Sequence, residues 1–108
     1  MTHAMKLAGF PTPDEIRFSI QSLVADNDLE QAADMAENGL TVYPESEGVL
    51  AISSLVAVVR QEWDRAVDLL ERLIAIQGDN ASEFTRNMYE RALTCSGKSP
   101  SPSRQDLA

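Results

Sequence analysis

The chain has 108 residues, 44% of them apolar, with 9 basic against 17 acidic side chains and a formal net charge of -8. That length points to one small domain, and the apolar share is enough for a core, which excludes wholesale disorder. The acidic balance repels phosphate backbones and anionic lipid, so nucleic acid and membrane are excluded as partners and a basic or apolar protein surface is expected instead.

Residues 1–11 read as a weakly patterned, mobile lead-in, and Met1–Phe10 lacks the basic stretch and long apolar run of a secretory signal. Thr12-Pro13-Asp14-Glu15 then carries a capping-box signature with proline at the first helical position. Ile16, Ile20, Leu23 and Val24 follow at helical spacing. Asp26-Asn27-Asp28 ends that helix, and Asp28, with Gln31 three residues on, is expected to cap the second, whose apolar face is Leu29, Ala32, Ala33, Ala36 and Leu40. Tyr43-Pro44 stops it, because a proline disfavours helix in the residue before it. Ser46 is placed to cap a third helix running to about Val59. After a weaker break at Arg60-Gln61-Glu62, a fourth helix is expected on Trp63, Ala66, Val67, Leu70, Leu73, Ile74 and Ile76, with Trp63 largely buried. Gly78-Asp79 stops this helix, and Asn80 with Glu83 reads as the capping box of a fifth, with Phe84, Met88, Ala92 and Leu93 on its apolar face. Residues 96–108, rich in serine and proline, offer no face to bury and are expected to be disordered. No alternating strand pattern occurs, so the expected fold is all-α, with a helical domain over 12–95.

The sequence matches itself at an offset of 34: Thr12, Ser46 and Asn80 are cap residues, and Ser19/Ser53, Ala32/Ala66, Asp34/Asp68, Glu37/Glu71, Leu29/Trp63, Leu40/Ile74 and Val42/Ile76 pair. A period of this length with two helices per unit resembles the tetratricopeptide repeat family. Ala32 and Ala66 stand in that family's small-residue slot, Pro44 in its proline slot, and Leu29 and Trp63 in the large apolar slot opening the second helix of a unit. There are departures: Ile16 and Leu50 replace the early aromatic, Ser19-Ile20 and Ser53-Ser54 replace a leucine-glycine pair, and the second unit ends in Gly78. The resemblance implies antiparallel hairpins stacked as a short right-handed superhelix, two repeats plus a capping helix.

Little in the chain suggests catalysis. His3 is the only histidine and Cys95 the only cysteine, far apart, which makes neither a zinc site nor a nucleophile–base pair. There is no glycine-rich phosphate loop and no calcium loop, and clustered acids such as Asp26 and Asp28 read as helix breakers. The expectation is a non-enzyme without cofactor or metal. A lone cysteine excludes an internal disulfide and suits a cytoplasmic location.

In the family that this chain resembles, the first helix of each unit lines a concave face. Register then assigns Asp14, Arg17, Gln21, Val24 and Ala25 to that face, followed by Gly48, Ala51, Leu55, Val58 and Val59, and by Ser82, Thr85, Tyr89, Ala92 and Leu93. Val24, Ala51, Leu55, Val58, Val59, Tyr89 and Leu93 are the candidate partner-binding residues, because contiguous apolar surface marks an interaction site. The expected occupant is an amphipathic helix or peptide of another protein, the alternatives being residues 1–11 or a second copy in a homodimer. Some family members clamp acidic chaperone tails. Arg17 and Arg86 fall near the clamp positions, but Gln21, Ile52 and Ser82 break the pattern. The stretch Leu50–Leu55 followed by Trp63-Asp64-Arg65-Ala66 also resembles the chaperones of type III secretion needle subunits, which implies a helix-holding role.

Overall fold

The structure, a computed structural model, describes residues 10–97. Among them are five α-helices: α1 (Pro13–Ala25), α2 (Leu29–Val42), α3 (Glu47–Val59), α4 (Trp63–Gln77) and α5 (Glu83–Ser96), with a 3-10 turn at Gly78–Asn80. No strand occurs among the described residues, and none of their helices is long and apolar enough to cross a membrane. The rest of the expected lead-in and tail, residues 1–9 and 98–108, lies outside the described residues.

Side chains set the helix starts. Thr12 accepts from the Glu15 amide at 3.2 Å while the Glu15 carboxylate accepts from the Thr12 amide at 2.9 Å, a complete capping box. Ser46 accepts from the Val49 amide at 3.3 Å. Two expected caps differ. The Asp28 carboxylate accepts from the Gln31 side-chain amide at 2.7 Å and caps no backbone N–H. The fifth helix is capped by Ser82, which accepts from the Thr85 amide at 3.1 Å, and not by Asn80 and Glu83. Gly78 adopts φ 60, ψ -129 and leads into the 3-10 turn, so α5 starts two residues later than the period implies.

Two helix ends match at the offset of 34. Where α1 ends, the Asn27 amide donates to the Val24 carbonyl and the Asp28 amide to the Leu23 carbonyl. Where α3 ends, Gln61 donates to Val58 and Glu62 to Ala57, the same two bonds displaced by 34 positions. Each is a Schellman closure, and its left-handed residue, Asn27 or Gln61, has φ 61. Neither is glycine: asparagine tolerates this region, while at Gln61 it costs about 1–2 kcal/mol.

The helices form two layers. α1, α3 and α5 make one, with α3 touching both neighbours; α2 and α4 make the other and pack on α1, α3 and α5. α3 is the hub because it is buried on most sides: Val49, Leu50, Ile52, Ser53, Ser54, Val56 and Ala57 are all shielded. One apolar cluster joins α1, α2 and α3 through Ile16, Ile20, Ala36, Leu40, Leu50 and Val56, and the inner face of α4 reaches it through Leu69 and Leu73. A second cluster joins α3, α4 and α5 through Ala57, Ala66, Val67, Leu70, Ala92 and Leu93. Ala32 and Ala66, related by the repeat, are fully buried, as close crossings require. Trp63 is only half-buried against the second cluster, short of the burial expected, because it stands on the first turn of α4. Phe10 belongs to the fold: its ring lies 6.2 Å from that of Tyr43, whose hydroxyl donates to the Pro11 carbonyl at 2.9 Å. Likewise Ser96 is the last residue of α5 and Gly97 its left-handed cap (φ 83), so the ordered end runs past residue 95.

Two buried hydroxyls lie in the middle of α3. Ser54 donates to the Leu50 carbonyl at 2.7 Å. The Ser53 hydroxyl has no partner among the described residues, a cost of about 1–3 kcal/mol for an unsatisfied buried group.

Candidate functional site: a groove between α1, α3 and α5

The layer of odd-numbered helices leaves a furrow that α2 and α4 do not cover. Its floor is Ala51, Ile52 and Leu55 of α3; Arg17 and Gln21 of α1 form one wall, and Phe84, Thr85 and Met88 of α5 the other. It encloses about 180 Å³, and apart from Arg17 its lining is uncharged. The Phe84 ring, 64% exposed, stands at the mouth beside Met88. Thr85 is buried and helps Ser82 cap the helix, which fixes the direction of the α5 wall.

Ala51 and Leu55 line this furrow. Val24 and Val58 are half-buried, pack against the first and second clusters respectively, and do not line the furrow. Val59, 42% exposed, lies at the end of α3. Leu93 is corrected: at 3% exposure it is core, seated with Leu70 and Ala92. Tyr89 faces α4, where its hydroxyl donates to the Glu71 carboxylate at 2.9 Å and its ring shares a hollow with Ile74 and Ala75. Phe84, expected on the buried face of α5, is exposed instead. These differences share a cause. The extra turn before α5 advances its register, so Phe84 and Met88 occupy the wall that a strict 34-residue period gives to other positions. The signal was present in Ser82, which stands three residues before Thr85 just as Ser46 stands three before Val49.

A larger hollow of about 310 Å³ lies elsewhere, against α2, lined by Phe10, Pro11, Ile16, Gln31, Asp34, Met35 and Asn38. It opens where the chain enters the fold, and it is a packing edge of the first cluster, not a furrow shared by successive units. Phe10 and Pro11 are seated here, away from the α1–α3–α5 groove.

Burial and the bond to Glu71 both hold the Tyr89 phenol above its usual range. Because the folded-state pKa is the higher one, its contribution is fully present below the ordinary tyrosine value of about 10 and is lost as pH rises beyond it. Tyr89→Phe is therefore expected to flatten the decline of thermal stability above about pH 10, which melting curves of both proteins across that range will show.

No protein-family model, curated protein or solved structure matches the chain.

Proposed function

We propose that the chain is a tetratricopeptide-like binding module, a chaperone or adaptor that holds an amphipathic helix of another protein in the groove between α1, α3 and α5. The single observation that carries this reading is the groove itself, an apolar furrow with an exposed phenyl ring at its mouth. The displaced pair of Schellman closures and the matched burial of Ala32 and Ala66 support a repeat of two-helix units, with α5 as a cap. An array this short lies near the lower limit for repeat stability, and covering its apolar furrow stabilises the folded state by mass action. The stretch Leu50–Leu55, which carries the likeness to secretion chaperones, contributes more to the core than to the groove, since Leu50, Ile52, Ser53 and Ser54 are buried.

Leu55→Asp is expected to abolish capture of the partner from the source cell while circular dichroism stays helical. Phe84→Ser removes a ring that the core does not need, and it should weaken capture by about 2 kcal/mol, as truncation of an interface anchor does. Undiminished capture by both variants would remove the groove from the mechanism. A concentration-dependent mass in light scattering that the same substitutions abolish would give the face to a homodimer instead.

A further inference from the structure

The described residues carry sixteen carboxylates against six arginines and no lysine. Four of those arginines are engaged within the fold. Arg60 donates to the Leu29 carbonyl and to Glu62, and Arg65 forks onto Glu37 and reaches Asp68. Arg72 reaches the Pro44 carbonyl and Asp68, and Arg86 donates to the carbonyls of Gly78 and Ala81. Two remain. Arg17 stands in the groove wall, its guanidinium 5.3 Å from the centroid of the Phe18 ring, and among the described residues its one ion pair is with Asp14 at 3.8 Å, a highly exposed side chain. Arg91 is exposed and has no bond or ion pair among the described residues; it lies one turn beyond Met88 and two beyond Phe84, on the same face of α5. The acids of α5 near this line, Glu83 and Glu90, point elsewhere, roughly 80° and 100° around the helix from Arg91 and further from Met88. Glu47 of α3 is turned to α4, where it accepts from Gln77 at 3.2 Å.

Resting on the proposed function above, we infer that the groove selects an apolar helix flanked by carboxylates, with Arg17 and Arg91 on its opposite walls receiving them. The net charge of the whole chain suggests the reverse, a basic partner. Contact charges decide instead: at physiological salt the screening length is about 8 Å, so the carboxylates on the α2–α4 layer slow the encounter more than they weaken the bound state. A guanidinium without a committed partner can take a carboxylate through paired N–H donors at little cost to the fold, which the four engaged arginines cannot.

A library of displayed random peptides, selected on the full chain and counter-selected on Leu55→Asp and on Phe84→Ser, tests this. Enriched peptides should place Leu, Met or Phe at helical spacing with Asp or Glu beside them. Resynthesised with Lys for those acids, they should bind about tenfold more weakly in fluorescence anisotropy. The Arg17→Ala/Arg91→Ala double variant should lose that discrimination and keep the residual apolar binding. Enrichment of neutral or basic flanks, or discrimination that survives in the double variant, overturns the inference and leaves the groove reading standing. No enrichment over the counter-selected variants overturns both.

Discussion

Leu50→Ala is expected to lower the stability of the domain by roughly 2–5 kcal/mol, the range for deleting a buried leucine where the surroundings relax only in part. Leu50 has no exposed surface and sits in the cluster that joins α1 and α2 to α3, the helix that touches all four others. The backbone there is held too, since the Leu50 carbonyl accepts from the Ser54 hydroxyl and the Leu50 amide donates to the Ser46 carbonyl at 2.9 Å. Collapse into the vacated space is therefore resisted. Small domains are stable by about 5–15 kcal/mol, so a loss of this size takes much of the total. In urea the midpoint should fall with little change in slope. Leu55→Ala on the same helix, half-exposed in the groove, should cost clearly less. Equal midpoints for the two variants would contradict the role of α3 as the hub.

Gly39→Leu is expected to cost roughly 1–3 kcal/mol or more through overpacking, against a gain of about 0.8–1.0 kcal/mol from replacing glycine inside a helix. Gly39 is buried in α2 where that helix meets α1 and α3. A Cβ built there already lies 3.3 Å from Ile16 Cδ1, Ile16 Cγ2 and Val49 Cγ1, and leucine adds three more carbons in the same direction. The glycine thus sets how closely the two layers approach. Pairing Gly39→Leu with Ile16→Ala makes the argument specific: space opened at Ile16 should recover part of the loss, so the double variant should be more stable than the sum of the single effects implies. Strict additivity in chemical denaturation would show that the layers are held apart by something other than this contact.

The helices and their order were legible in the chain because they rest on local physics. Thr12 and Ser46 cap from three residues away, Pro44 and Gly78 stop helices by their own backbone limits, and buried residues such as Ile16, Ile20, Leu70 and Leu73 recur at the helical period. Ala51 and Leu55, one turn apart on α3, share a face for the same reason. Only the packed structure decided the α5 wall. An extra turn at Gly78–Asn80 shifts that helix by two positions, and on a helix two positions rotate a side chain by about 200°, enough to exchange groove for core. Hence Leu93 is buried, Tyr89 meets Glu71, and Phe84 stands at the mouth. The state of each arginine was likewise hidden. Arg17, Arg86 and Arg91 are alike as letters, and what separates them is whether a carbonyl or carboxylate from another part of the fold comes within reach.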